Sequence, residues 1–318
     1  MEMVAHTVSI RGESVAAGRP RPEALGWVLR YIEPVVRDSV SMGFRNTSSL
    51  PGRPPAWLSR ACDVRLVGIS EDGPDGTRLH FEAPRLGGAA EEIYGQGELF
   101  RIRPDEHDTG FDLLGDAVAD VRKEDHDSIR FDAKLLREIH RLYDGPSKRG
   151  VEQIILLGGR LPVAEPISID QAVSAHANRM RQITPPAQRA RIAGKLDMIR
   201  DSDSVFEVLL GDGETVRGVW LPGEMGRLQE LFREDVLIEG KAVYRPSRKL
   251  LRLEADAVRP AAGGDAVFRE IPRPLVQATP PRVARQAQTR AGGAGSIHAQ
   301  WPGDETEDEI LAALKGMG

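Results

Sequence analysis

Two short runs of the sequence hold residue types that bind divalent cations, Asp105-Glu106-His107-Asp108 and Asp125-His126-Asp127. Carboxylates and imidazoles are ordinary ligands of such ions. Neighbouring residues of one loop rarely converge on a single ion, however, and neither run has the i, i+4 spacing that puts two ligands on one helix face. Solvated loops or helix starts are the better reading, and no metal site is expected. Gly150 to Arg160 is a strand running into Gly158-Gly159, which is how a phosphate loop begins. It lacks the Gly-Lys-Ser/Thr ending and continues into Leu161-Pro162, so a plain turn is expected. No serine sits in a Gly-x-Ser-x-Gly elbow. The single cysteine, Cys62, has no motif around it and reads as a small residue beside a strand. Neither a catalytic constellation nor a cofactor is expected.

The remaining candidates bind rather than react. Arg245, Arg248, Lys249 and Arg252 cluster around one turn and could follow the backbone of a single-stranded nucleic acid. The plain alternative is a strand-turn edge guarded by charge. Between Arg189 and Arg259 there are 13 Lys plus Arg against 13 Asp plus Glu, so the surrounding domain is neutral. Further on, Arg269, Arg273, Arg282, Arg285 and Arg290 stand among prolines, with no acid between Glu270 and Asp304. Arg282, Arg285 and Arg290 are candidates for an acidic cleft on a partner. The ending pairs Trp301 and a Pro302-Gly303 turn with an acidic helix start at Asp304 and Glu305, followed by Ile310, Leu311 and Leu314 on one helical face. A helix shorter than roughly 12–15 residues is marginal alone in water, so this one needs a groove.

The elements that must position these residues divide the chain. Val4–Glu13 reads as a strand, and a helix begins at Pro22 with a kink or a break expected at Pro34. Strands at Asp63–Ser70 and Thr77–Ala83 flank the turn Asp72–Gly76. Helices follow at Phe111–Val121 and at Ala133–Tyr143, the latter capped by Asp132 and stopped at Gly145-Pro146. After a buried strand at Ile154–Leu157, a connecting helix spans Ile169–Ile183. Five strands then arrive with a helical interval between the third and fourth: Arg191–Ile199, Val205–Leu210, Thr215–Leu221, Val236–Tyr244 and Leu250–Val258. That order suits an OB-type barrel or another small five-stranded barrel. The expected whole is an α+β multidomain chain: an α/β domain (1–165), a connecting helix (166–186), an OB-like five-stranded β-barrel (187–262), a disordered Pro/Gly/Arg-rich arm (263–296) and a partner-binding tail with a short helix (297–318).

The totals exclude some functions. A length of 318 residues allows two domains plus tails, and a net charge of -5 gives no bulk attraction to nucleic acid or anionic membrane. One cysteine excludes an intrachain disulfide and a cysteine-rich zinc site. No apolar run reaches the roughly 18–20 residues of a membrane span, and the first residues lack a basic segment followed by an apolar one. A soluble cytoplasmic protein without a membrane partner is expected. Aromatics at 5% are modest for base stacking.

The ending Gln300-Trp301-Pro302-Gly303-Asp304-Glu305-Thr306-Glu307-Asp308-Glu309-Ile310-Leu311 resembles the tail of bacterial antitoxins encoded beside PIN-domain ribonuclease toxins. The segment from Gly194-Lys195-Leu196-Asp197 through Gly240 to Leu253-x-Ala255 is similar to the middle of larger bacterial proteins that share this tail. The resemblance implies an antitoxin of a type II toxin-antitoxin pair that neutralises its cognate PIN-domain toxin. It implies that the tail occupies the nuclease groove while an arm residue obstructs the carboxylates that hold magnesium. Small antitoxins of this kind carry an AbrB or ribbon-helix-helix DNA-binding domain, and this sequence shows neither pattern. The rival expectation is an OB-type nucleic-acid-binding adaptor that recruits a partner protein. An enzyme using the N-terminal domain ranks last.

Overall fold

The computed structural model describes residues 1–48, 54–94, 104–161, 166–222 and 225–275. The tail residues Trp301, Pro302, Gly303, Asp304, Glu305, Ile310, Leu311 and Leu314, with Arg282, Arg285 and Arg290, lie outside them.

The first module is built on an antiparallel sheet of β1 (Met3–Arg11), β2 (Arg65–Glu71), β3 (Gly76–Pro84), β4 (Gln153–Gly158) and β5 (Ile167–Ile169), ordered β2-β3-β1-β4-β5. Its helices are α1 (Pro22–Arg45), the short α2 (Ala56–Ala61), α3 (Leu86–Ala89) and α4 (Glu91–Tyr94), then α5 (Gly110–Arg122), α6 (Ala133–Ser147) and α7 (Gln171–Ile183). Alternation on β1 sends Val8 and Ile10 into a core shared with Val28, Ile32 and Val36 of α1, Phe111 and Leu114 of α5, Leu135 and Ile139 of α6, and Val173 and Met180 of α7. Side-chain caps start three of the helices. Thr109 and Asp112 form a capping box on α5, Asp132 accepts from the Leu135 N–H at 3.0 Å on α6, and Asp170 accepts from the Val173 N–H on α7.

Three expectations are corrected. Helix α1 does not break at Pro34: it runs 24 residues to a left-handed Asn46, whose N–H donates to the Met42 carbonyl. Proline removes one hydrogen bond, and burial of Val28, Ile32, Val35 and Val36 on both sides of it outweighs that loss. Gly145-Pro146 likewise does not stop α6, which ends at Ser147. The segment expected as a connecting helix belongs to the first module, because Ile167–Ile169 pairs with β4 and α7 buries Val173, Ala177 and Met180 in its core.

The second module is a closed barrel of β6 (Gln188–Arg200), β7 (Val205–Leu209), β8 (Thr215–Trp220), β9 (Asp235–Tyr244) and β10 (Leu250–Pro260), with α8 (Gly226–Glu230) between β8 and β9. Strand β6 pairs with β9 over Gln188–Lys195 and with β7 over Lys195–Arg200, and a parallel β8–β10 pairing completes the circle. That is the OB order. Close backbone crossings require two of the glycines. A Cβ on Gly194 would stand 2.5 Å from the Leu209 carbonyl oxygen, and one on Gly240 would stand 2.2 Å from that of Glu254.

Strand β10 departs from simple alternation. Its register against β9 shifts between Leu250 and Arg252 and again between Ala255 and Ala257. Leu253 and Ala255 fill the barrel, whereas Leu251 joins the core of the first module and Arg252 is buried. The arm also starts later than residue 263. Gly263–Phe268 forms a 3-10 turn, Arg259 holds Asp265 at 2.7 and 2.9 Å, and the Leu275 N–H donates to Gln188 Oε1 at 3.0 Å.

Candidate functional site

The barrel face formed by β7, β8 and their neighbours, with the β6–β7 and β9–β10 loops, is where OB barrels hold oligonucleotides. Here the C-terminal end of α1 sits against that face. At about 1.5 Å per residue the helix is about 36 Å long, enough to cross the first module and reach the barrel. A helix C-terminus presents unpaired carbonyls and the negative end of the helix dipole. Three barrel arginines converge on it. Arg200 Nη2 and Arg217 Nη2 donate to the Phe44 carbonyl at 2.9 and 3.1 Å, and Arg252 Nη1 donates to the Asn46 carbonyl at 2.8 Å. In return, Arg45 Nε donates to the Asp203 carbonyl at 3.0 Å, and Trp57 Nε1 donates to that of Ser202 at 3.3 Å. The Phe44 ring lies edge-on to Trp57 at 5.0 Å, so an aromatic plug backs the polar contacts.

Two buried ion pairs set the electrostatics of this seam. Arg200 and Asp203 pair with side chains 1% and 0% exposed, with Nε 2.7 Å from Oδ1 and a second contact from Nη2 to Oδ2. Arg252 lies 3.2 Å from Asp132, which also accepts from the Ser48 N–H and hydroxyl at 3.1 and 2.7 Å. Burial pushes the Asp132 carboxyl up, but the Arg252 charge and the Ser48 hydrogen bonds outweigh it and hold the group below the usual carboxylate range. Burial pushes Arg45 and Arg217 below the usual guanidinium value. Nε and Nη1 of Arg217 are buried without a hydrogen-bond partner.

The expected nucleic-acid residues fall on the same seam. Arg245 Nη1 donates to the Asp127 carbonyl at 2.9 Å, Lys249 Nζ contacts the Asp127 carboxylate at 2.8 Å, and the Ser247 N–H donates to the His126 carbonyl at 3.1 Å. Arg252 is 5% exposed and also bonds Glu254. Arg248 is exposed, in the left-handed region at φ 73°. Three of the four basic side chains thus hold the first module, and the 125–127 run that resembled metal ligands receives two of them. Beside them, a cleft of about 570 Å³ is lined by Ser48, Asp132, Lys134, Thr184, Arg252 and Glu254. Lys134 pairs there with Asp38 at 2.7 Å.

The other candidates resolve into structure. Asp108 is buried and binds Arg160 Nε at 2.6 Å, while Asp112 accepts from the Arg160 N–H at 2.8 Å. His6, stacked on Phe111, meets the Thr109 hydroxyl at 2.9 Å through Nε2, and its Nδ1 is buried without a partner. A Cβ on Gly159 would stand 2.5 Å from the His6 ring, so these glycines pack against a buried polar knot. Burial pushes the Cys62 thiol up to about 12, which removes it as a nucleophile near neutral pH. Among the described residues no group of three or more His, Cys, Asp or Glu side chains is placed to hold a metal ion, and no helix is long and apolar enough to cross a membrane.

Sequence reasoning missed Phe44, Arg45, Arg200, Asp203 and Arg217. The only local signal was the charged run Arg200-Asp201-Ser202-Asp203 where a plain turn would do, and nothing nearby pointed to α1 as its partner. Comparison with protein-family models, curated proteins and solved structures finds no match to this chain.

Proposed function

We propose that this chain is an antitoxin-like, non-enzymatic inhibitor that binds and neutralises a PIN-domain ribonuclease, working in the cytoplasm. Residues 297–318 would grip the nuclease, and Arg282, Arg285 and Arg290 would lie along its acidic cleft. The sequence offers two grips for a partner, the basic turn of the barrel and the C-terminal segment. What supports the second is that the first is engaged by the end of α1 and by the 126–127 loop. In this reading the two modules form the carrier and the tail does the binding. Trp301 is the anchor, Pro302-Gly303 turns the chain, and Ile310, Leu311 and Leu314 follow into one apolar groove. The acids before them speed encounter with a basic rim.

The test is co-expression with the neighbouring gene product, read as cell survival and co-purification. Trp301→Ala should cost roughly 2 kcal/mol or more of binding, as truncated interface tryptophans do, and should abolish neutralisation. Leu311→Asp should do the same, and Glu307→Gln should not. Equal survival and equal capture with wild-type and Trp301→Ala protein would remove the reading. Micromolar, steeply salt-dependent binding of an oligonucleotide, lost on Arg248→Glu with Lys249→Glu, would put the nucleic-acid adaptor in its place.

A further inference from the structure

The geometry points to a phosphate-binding site at the N-terminus of α1, taking inorganic phosphate or the phosphate monoester of a small molecule. This does not depend on the nuclease reading. The two ends of α1 are treated differently. Its C-terminal carbonyls are met by Arg200, Arg217 and Arg252. Its N-terminus follows Arg21 without any side-chain cap, and Pro22 opens the first turn. The hydrogen-bond ladder starts at the Leu25 N–H, which donates to the Arg21 carbonyl at 3.0 Å, so the N–H groups of Glu23 and Ala24 precede it. Such a helix start gathers about half a positive charge together with outward-pointing donors, which suits an anion.

An independent feature marks the same place. Ser14 is 6% exposed, yet its hydroxyl has no hydrogen-bond partner in the chain. Its backbone fixes it against the start of α1: the Ser14 N–H donates to the Gly150 carbonyl at 3.3 Å, and the Ser14 carbonyl accepts from the Arg21 N–H at 2.8 Å. A hydroxyl withdrawn from water and left unpaired is costly unless a ligand completes it. Ser14 lines a cleft of about 610 Å³ with Glu13, Arg21, Glu23, Lys148 and Arg149. Gly150 keeps that cleft open. It sits at φ 78°, and a Cβ there would stand 2.6 Å from Ser14 Oγ.

The charges around the cleft identify the ligand. Arg21 is exposed and has no ion-pair partner among the described residues. Lys148 pairs with Asp144 at 2.6 Å in an exposed i, i+4 contact, which is weak enough for a bound dianion to displace. Arg149 is held in place: Nε bonds Glu23 at 2.7 Å, Nη1 donates to the Gly145 carbonyl at 3.0 Å, and the guanidinium lies 4.0 Å from the centre of the Trp27 ring. Its Nη2 keeps a free donor. Glu23, the acid of the first turn, is thereby tied to Arg149, and Glu13 is exposed, so the lining carries three positive charges against two negative. Hydroxyl, main-chain N–H, ammonium and guanidinium donors from three segments of the chain suit an ion with four acceptor oxygens better than a carboxylate with two.

The experiment is isothermal titration calorimetry of the full chain with inorganic phosphate and, separately, with glycerol 3-phosphate. A dissociation constant of about 1 mM or tighter is expected for at least one of them, and the tighter of the two tells free phosphate from a phosphorylated small molecule as the source. Ser14→Ala should weaken binding about tenfold and leave the thermal melt of the free protein unchanged, since the hydroxyl holds nothing within the chain. Arg21→Gln and Lys148→Gln should each weaken binding about threefold and flatten its salt dependence, whereas Glu13→Gln should tighten it by a similar factor. Absence of binding by both ligands at about 10 mM would overturn the inference. So would Ser14→Ala protein that binds as tightly as wild type, because attraction to surface cations alone would then account for the binding.

Discussion

The barrel carries arginines on two sides, and the same side chain does different work on each. On the seam side Arg200, Arg217 and Arg252 are withdrawn from water and reach main-chain carbonyls at the end of α1. On the far side Arg189, Arg191 and Arg259 are exposed and pair with Asp256, Glu239 and Asp265, and Arg189, Arg191 and Glu239 line a groove of about 670 Å³. The far-side pairs form in high dielectric, where salt screens them and holding long side chains still offsets the attraction. The seam pairs form where removing one partner strands a charge away from water. What decides the importance of a basic residue here is the surface that covers it.

The sharpest way to break this comparison is Asp203→Ala, which leaves Arg200 buried without its carboxylate. A loss of about 3–5 kcal/mol in urea unfolding is expected, as for other severed buried pairs. A loss no larger than for surface variants would show that the seam opens to water.

Acid titration comes next, with two separate origins. Burial holds His6 below its ordinary value of 6.5, and the Asp112 charge opposes that only in part. Between that lowered value and 6.5 the unfolded chain binds more protons than the folded one. Stability therefore falls as pH drops from 6.5 towards the folded value, and His6→Gln should flatten this part of a melting-temperature profile. Asp132 has a folded value below its ordinary 3.8, so its contribution is complete above 3.8 and is lost as pH falls further. Asp132→Asn should remove that lower limb and leave the upper one. Burial shifts Asp38 and Asp108 the other way, which makes them gain on acidification, so each variant must be read as a difference from wild type.

Arg217 sharpens the comparison with an opposite sign. Two of its guanidinium nitrogens are buried without partners, so Arg217→Met should leave stability unchanged or raise it by about 1 kcal/mol. A marked loss in denaturant unfolding would mean that its single bond to Phe44 outweighs its desolvation. The smallest effect is expected at the far side. Arg189→Ala should leave the melting temperature within error, and a resolvable drop would show that the groove side is also cohesive.

Most elements were legible because they repeat a local rule. Apolar alternation located most of the strands, the Asp72–Gly76 turn joined two of them, and Asp132 announced a helix start it does cap. The limits of α1 were not legible, because whether a chain passes through Pro34 depends on burial supplied by distant residues. The basic cluster at Arg245, Lys249 and Arg252 was read correctly as charged and placed on the correct turn. Its partners lie 118 to 206 residues away in sequence, and no periodicity encodes them.

By itself, then, the sequence determined the long helices, the five barrel strands with a helical interval between the third and fourth, and the absence of recognisable catalytic motifs. These follow from steric and hydrophobic patterns that act over a few residues. Only the tertiary structure decided the OB connectivity of the barrel, that the end of α1 sits against the face on which OB barrels hold ligands, that Arg252 is buried, and that Leu66, Val67 and Ile69 of β2 are exposed. The physical reason is that charge and apolarity belong to residues, while desolvation belongs to the surfaces that meet. Those surfaces are brought together by segments that carry no local trace of one another.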